Sequence, residues 1–197
     1  MSADFFAHVG AHVTLAASAL AIALAIGVPL AGLGADRPLP RSLVLALAGG
    51  FRVIPSIAVL TLALPVLGLG FRPALLALVL LALPPILINT DVGLRAVPVA
   101  TLEAARGLGM TPRQVGLRVR WPLALPVVAL GIRIATVEVI ASATLASFIG
   151  AGGLGDEIIA GFAGGDFRQL LTGACAVAAL ALVADALLAA LQRRLAR

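Results

Sequence analysis

Five long apolar runs are the feature that most constrains what this chain can fold into. They lie at residues 13–33, 42–67, 74–90, 125–148 and 170–191. A helix crosses the hydrocarbon core of a bilayer with about 20 apolar residues, and each run is close to that length. The pattern predicts an all-α, polytopic membrane helical bundle of about five transmembrane helices, forming one domain over residues 1–197.

The composition argues against a soluble protein. Of the 197 residues, 61% are hydrophobic and 12% are charged, whereas soluble domains are about 45–50% apolar and about 25% charged. The single cysteine, Cys175, lies inside an apolar run, so we expect neither a disulfide nor a metal site. Residues 1–10 lack the basic start of a signal peptide, so we expect the first run to stay in the protein.

The arginines predict the orientation in the lipid bilayer. All fourteen basic residues are arginine. With five spans and the N-terminus outside, the inside segments hold ten arginines, and the outside segments hold only Arg72 and Arg168. Because cytoplasmic segments carry the excess of arginine, we expect an outside N-terminus and a cytoplasmic C-terminus. Arginines placed between apolar runs orient a membrane protein and do not indicate a partner nucleic acid.

The polar stretch 95–124 interrupts the apolar pattern, and it carries helix signals of its own. Pro98 suits the first turn of a helix, where its missing N–H costs nothing. Residues 101–106 contain good helix formers, and Gly107 and Gly109 can end the helix in a left-handed conformation. We therefore expect a first short helix here.

A second start signal follows at once. Thr111 is a good N-cap, Pro112 a good first residue, and Gln114 completes a capping box. In the first helix, Glu103 and Arg106 lie three residues apart on one face, beside two small alanines. Such a surface suits insertion into the cleft of a partner. The alternative is a solvated loop with an incidental helix, and the pattern alone leaves the two equally open.

This stretch resembles the EAA signature of permease subunits of bacterial ATP-binding-cassette importers. The signature reads Glu-Ala-Ala, three residues, Gly, nine residues, Ile, one residue, Leu-Pro. Val119 and Trp121 stand where it has Ile and Leu. In that family the loop forms a coupling helix in a groove of the ATPase subunit. The resemblance implies that the contact is made by Glu103, Ala104, Ala105, Arg106, Gly107, Gly109 and Pro122.

Further segments resemble permeases for osmoprotectants such as glycine betaine, carnitine, choline or proline betaine. They are residues 52–56, 89–90, 131–137 and 149–155. The resemblance implies a MetI-like type I permease domain in a bacterial inner membrane. It also implies three protein partners: an ABC ATPase, an extracytoplasmic substrate-binding protein and a second permease, either a copy or a paralogue. ATP and magnesium would bind the ATPase, and this chain would be a non-catalytic subunit with no cofactor or metal of its own.

Alternatives remain in the same class and in others. A permease for methionine, phosphonate or sulfonates shares several of the segments. An ion-coupled secondary transporter is less favoured because no internal repeat is evident. A non-transporting assembly subunit is a third possibility. Since the chain has no lysine, a phosphate-binding Gly-x-x-x-x-Gly-Lys loop is excluded.

Charges inside apolar runs are candidates for the translocation path. Arg133 and Glu138 are five residues apart, which is roughly 140° around a helix, so they do not pair with each other. Structural pairing with Asp91, Asp185 or the second subunit is one interpretation, and lining the path is the other. The full set of candidate path or gate residues is Arg52, Pro55, Asn89, Arg133, Glu138, Gly150, Gly152, Gly153 and Gly155.

Two other patterns carry less weight. Residues 150–155 match a Gly-x-Gly-x-x-Gly dinucleotide fingerprint, but that fingerprint requires a preceding strand, so an outer gate or a re-entrant turn is preferred. His8 and His12 flank the first run, and we expect both at the membrane interface. With no tyrosine, one tryptophan and seven phenylalanines, an aromatic cage for quaternary ammonium groups is not expected.

Overall fold

The computed structural model describes residues 3–35, 49–50 and 56–195, and this part of the chain is helical without a β-strand. The helices are α1 (Ala3–Ala35), α2 (Ser56–Leu67), α3 (Phe71–Arg95), α4 (Val99–Gly107), α5 (Pro112–Val115), α6 (Trp121–Ser142), α7 (Leu154–Gly164) and α8 (Phe167–Leu195). A π-helical turn, Gly116–Arg120, joins α5 to α6, and a 3-10 helix, Ala143–Ile149, follows α6.

Within the described residues, four helical stretches are long and apolar enough to cross a membrane. They are Asp4–Leu33, Phe71–Arg95, Pro112–Ile149 and Phe167–Arg194. The prediction of an all-α membrane bundle is confirmed. The run 42–67 falls only partly on described residues, where α2 supplies a shorter apolar helix. Arg52 and Pro55, both proposed for the path or gate, lie outside the described residues.

Helices reach further than the apolar runs that predicted them. α1 begins ten residues before residue 13, and Asp4 in its first turn complements the positive end of the helix dipole. The polar stretch was expected to last to residue 124, yet helix resumes at Pro112 and continues to residue 149. The capping box at Thr111 starts this helix, and the π-helical turn carries it through Pro122, which has no N–H to donate.

Small residues hold the bundle together. α3 lies at the centre and packs against both α1 and α6. Ala19, Ala74 and Ala135 are fully buried in this core. A Cβ on Gly131 of α6 would lie 2.6 Å from the Cβ of Asn89 in α3, so the two helices touch backbone to side chain. Close approach through small residues is the usual way for membrane helices to pack, because lipid gives them no hydrophobic drive to associate.

α8 is the least enclosed of the membrane-crossing helices. It contacts α6 and α7, and it leaves Leu182, Val183, Leu187 and Leu191 exposed on the isolated chain. An apolar surface of this extent is compatible with lipid or with another apolar protein surface. The side of α8 that faces α6 is different, since it carries a charged residue.

Candidate functional site

Within the polar segment at residues 95–124, α4 ends as the sequence predicts. The Gly109 N–H donates to the Arg106 carbonyl at 2.9 Å, and the Met110 N–H donates to the Ala105 carbonyl at 3.3 Å. Together these bonds form a Schellman motif. Gly109 has a φ of +82°, which favours glycine. Gly107, which was expected to share this role, is instead the last helical residue and has an ordinary φ.

Four of the predicted contact residues in α4 are exposed. They are Glu103, Ala104, Arg106 and Gly107. Ala105 is only 6% exposed because it faces the rest of the chain, so this side chain packs α4 against the protein and does not face a partner. A partner approaching α4 therefore meets one acid, one base and a small residue between them.

In the second half of the segment, hydrogen-bonded helical turns connect α4 to α6. The Thr111 hydroxyl accepts from the Gln114 N–H at 3.4 Å, while the Gln114 side chain accepts from the Thr111 N–H at 2.8 Å. This is the predicted capping box. The Trp121 N–H then donates to the Gly116 carbonyl, which closes the π-helical turn. Pro122 is exposed at the start of α6.

Contacts at the base of the segment join it to the membrane helices. The Arg120 Nε donates to the Leu94 carbonyl at 2.9 Å, so the start of α6 is tied to the last turn of α3. A Cβ on Gly32 of α1 would lie 2.9 Å from the Trp121 ring. A displacement of α4 and α5 would therefore also move the membrane helices α1, α3 and α6.

The charged residues of α6 and α8 meet in an open groove of about 490 Å³. Arg133 of α6 makes two parallel hydrogen bonds to Asp185 of α8, from Nε and from Nη2, each 2.9 Å long. Its Nη1 donates to the Gln192 side chain at 2.8 Å. Gln192 in turn donates to the Pro126 carbonyl at 2.7 Å, which fixes it against α6. The structural pairing of Arg133 with Asp185, one of the two interpretations, is thus present.

Pairing does not remove these groups from the groove. The Arg133 side chain is 24% exposed and the Asp185 side chain 35% exposed, both toward an apolar wall that includes Leu130 and Val137. Glu138 also lines the groove. Arg133 lies twelve residues after the start of α6, about 18 Å along the helix axis. An ion pair at that depth is costly next to lipid, so the groove is expected to face water or protein.

Asn89 occupies a different place from the other candidate path residues. Its Nδ2 donates to the Pro85 carbonyl of its own helix at 2.8 Å. Its Cβ is the atom that packs against Gly131. The structure thus brings Arg133 and Glu138 together at one groove and places Asn89 at the contact between α3 and α6.

The glycine-rich segment at residues 150–155 is a compact turn between the 3-10 helix and α7. Gly150, Gly152 and Gly153 have φ values of +72°, +76° and +109°. A Cβ on Gly155 would clash with the Thr144 carbonyl oxygen. Because a helix and not a strand precedes this turn, the dinucleotide fingerprint lacks its required context. The four glycines allow the chain to reverse tightly after the 3-10 helix that follows α6.

Sequence reasoning missed the role of His12. The residue is fully buried, and its Nε2–H donates to the Ile140 carbonyl at 2.9 Å while its Nδ1 accepts from the Leu154 N–H at 3.3 Å. His12 is therefore a packed residue that joins α1 to the glycine turn, a contact that the sequence analysis did not predict. The available signal was spacing, since His12, Ala16 and Ala19 share one helix face.

His8 belongs to a polar cluster near the N-terminal end of α1. Its Nδ1 donates to the Glu157 carboxylate at 2.9 Å. Gln169 of α8 donates to the other oxygen of Glu157, also at 2.9 Å. These hydrogen bonds, that from Gln169 first and that from His8 second, hold the pKa of the Glu157 carboxyl below its ordinary value. The cluster links α1, α7 and α8.

Comparison with curated proteins gives relatives that span most of the chain. The carnitine transport permease protein OpuCB of Listeria monocytogenes is 41% identical over 184 residues, covering 93% of this chain and 84% of that protein. The choline transport system permease protein OpuBB of Bacillus subtilis is 38% identical over 184 residues, covering 93% and 85%. The osmoprotectant import permease protein OsmW of Salmonella typhimurium is 42% identical over 189 residues, covering 92% and 86%.

Solved structures agree on the fold. A chain of the MetNI methionine ABC transporter, in an inward-facing conformation, matches over 100% of both chains with a TM-score of 0.85 and 23% identity. A chain of an amino acid ABC transporter matches with a TM-score of 0.79 and 22% identity, covering 96% and 93%. The family model described as binding-protein-dependent transport system inner membrane component matches residues 23–197. The chain therefore belongs to this family, the membrane-embedded permease components of ABC transporters.

Proposed function

We propose that this chain is the permease subunit of an ATP-driven importer of small osmoprotectants of the glycine betaine, carnitine and choline type. The relatives named for these solutes, each covering more than nine-tenths of this chain, support the substrate class. The chain itself would be non-catalytic, with ATP and magnesium bound by a partner ATPase.

The observation that carries the coupling role is the connection of α4 to the bundle. The exposed face with Glu103, Ala104 and Arg106 belongs to a segment that is hydrogen-bonded to α3. The bond runs from Arg120 to the Leu94 carbonyl. Such a segment can pass a push from an ATPase to both α3 and α6. A loosely attached loop could bind the same partner without moving the helices.

The remaining partners follow from the family. A second permease, a copy of this chain or a paralogue, would complete the path, and an extracytoplasmic binding protein would deliver the solute. The bias of arginines supports a cytoplasmic C-terminus in a bacterial inner membrane. In the proposed cycle, ATP binding closes the ATPases, the coupling segments move with them, and the paired permeases open outward to receive solute.

The groove between α6 and α8 is the proposed part of the translocation path. It holds the Arg133–Asp185 pair together with Glu138 inside an apolar wall. The glycine turn at residues 150–155 is the proposed outer gate, since it closes the end of α6 and is held by His12.

The test of the coupling role is retention of the ATPase on a tagged permease, measured together with ATP-driven solute uptake in proteoliposomes. Glu103→Arg reverses the charge on the exposed face. Gly109→Val forces a side chain into a left-handed backbone that costs about 1–2 kcal/mol for other residues. We expect both variants to insert in the membrane, to lose most bound ATPase, and to lower uptake by about tenfold or more.

Gly68→Val is the matched control. Gly68 has a φ of +73°, and like Gly109 it has no atom within 4 Å of an added Cβ, but it lies in the turn after α2. The backbone strain is thus similar at both positions, and only one faces the ATPase in the proposed orientation. Equal ATPase retention by the Gly109→Val and Gly68→Val variants would refute the coupling assignment.

A further inference from the structure

We infer that the groove between α6 and α8 selects zwitterions that carry both a carboxylate and a quaternary ammonium group, such as glycine betaine and carnitine, over simple cations such as choline. This inference rests on the proposed function and names the chemistry of the same groove. It comes from how the Arg133–Asp185 pair is held and from what the groove leaves accessible.

The guanidinium of Arg133 presents unused donors to the groove. Of its five N–H groups, two bond Asp185 and one bonds Gln192. Two N–H groups, one on each terminal nitrogen, have no acceptor among the described residues. Each oxygen of Asp185 likewise accepts one of these bonds and retains a further lone pair. Both ends of the pair can therefore engage a solute without first being uncovered.

Gln192 keeps Arg133 in place while a solute binds. The amide accepts from Nη1 and donates to the Pro126 carbonyl. Because Pro126 and Arg133 belong to the same helix, α6, this hydrogen bond holds the Gln192 amide against the helix that carries Arg133. The guanidinium therefore stays oriented even if its bonds to Asp185 lengthen. A planar, oriented guanidinium is suited to a second carboxylate, which it binds through two parallel hydrogen bonds.

Charge balance then distinguishes the solutes. A zwitterion can place its carboxylate on Arg133 and its ammonium against Asp185, so each protein charge exchanges one opposite charge for another. A simple cation meets two carboxylates in the groove, Asp185 and Glu138, but it brings no carboxylate for Arg133, and pairing with Asp185 draws that group away from the guanidinium without replacing it. In a groove with apolar walls, a charge left without its partner is unfavourable. The apolar side chains Leu130, Val137 and Leu182 accommodate the methyl groups of either solute.

The experiment uses the complete transporter, with its ATPase and its binding protein, in proteoliposomes. Maximal ATP-driven uptake is measured with saturating binding protein and labelled glycine betaine or labelled choline. Since the binding protein is the same in every preparation, a change in the ratio of the two rates reports on this chain. The wild-type complex is expected to take up glycine betaine faster than choline.

Arg133→Gln is the main variant. We expect glycine betaine uptake to fall by about tenfold or more, as for the loss of a charge-assisted hydrogen bond, and choline uptake to change by less than about threefold. A purely structural role for the ion pair would lower both rates in parallel, and that result would overturn the inference. Arg168→Gln, at an exposed arginine near the outer start of α8, is the control and should leave the ratio unchanged.

A conservative variant, Arg133→Lys, tests the inference if the Arg133→Gln complex fails to assemble. Arg133→Lys keeps the charge and a partner for Asp185 but lacks the planar fork, so the glycine betaine to choline ratio should fall by about threefold. An unchanged ratio in this variant, or a wild-type complex that takes up choline as fast as glycine betaine, would refute the selection while leaving the importer role intact. A wild-type complex that takes up neither compound would instead refute the proposed function, and this inference with it.

Discussion

The contact between Gly131 and α3 gives a quantitative test of the packing. Gly131 lies in the buried side of α6, where an added Cβ would stand 2.6 Å from the Asn89 Cβ and 2.7 Å from the Pro85 carbonyl oxygen. Neither atom is at the far end of a flexible side chain, so the helices themselves would have to separate. We expect Gly131→Ala to destabilise the bundle for this reason alone.

The magnitude follows from two opposing terms. Overpacking of a close contact typically costs 1–3 kcal/mol, and contact with backbone favours the upper part of that range. Replacing a helical glycine by alanine contributes roughly 0.5–1 kcal/mol in the stabilising direction. The net expectation is a loss of about 2 kcal/mol, which corresponds to a midpoint lower by about 4–8 °C for a chain of this size.

Gly10→Ala is the matched control because it makes the same exchange in α1 with no atom within 4 Å of the new Cβ. It should leave the midpoint unchanged or raise it slightly. Thermal unfolding in detergent can be followed by the fluorescence of Trp121, the single tryptophan, which packs against Gly32. If Gly131→Ala unfolds at the same temperature as Gly10→Ala, α3 and α6 do not approach as described here.

The remaining predictions concern the cluster of His8, Glu157 and Gln169 and the capping box at Thr111. Because the pKa of Glu157 is lowered in the folded protein, its contribution to stability is complete above the ordinary value of 4.5 and is lost as the pH falls through the lowered pKa. The difference in midpoint between the wild type and Glu157→Gln should therefore be constant near neutral pH and shrink below about pH 4.5; a difference independent of pH would contradict this. Thr111→Ala should cost about 1 kcal/mol at the start of α5 and speed amide exchange there about fivefold, whereas Thr101→Ala, at an exposed position within α4, should not change exchange in α5.

The local elements were predictable where short-range chemistry decides them. The end of α4 at Gly109 and the capping box at Thr111 depend on contacts within five residues, so the sequence contains the whole cause. The membrane helices were predictable for a similar reason, since hydropathy over about 20 residues decides insertion. The ends of the membrane helices were harder to predict, because polar residues such as Asp4 are also helical at the boundary.

The amino-acid sequence by itself determined that this is a helical membrane chain with an ordered polar segment at residues 95–124, because hydropathy, glycine conformation and capping act along the chain. Only the tertiary structure decided which charges meet. Arg133 and Asp185 are 52 residues apart, and His12 and Leu154 are 142 residues apart. These pairs depend on how α1, α6, α7 and α8 pack against one another, and no pattern along the sequence records that packing.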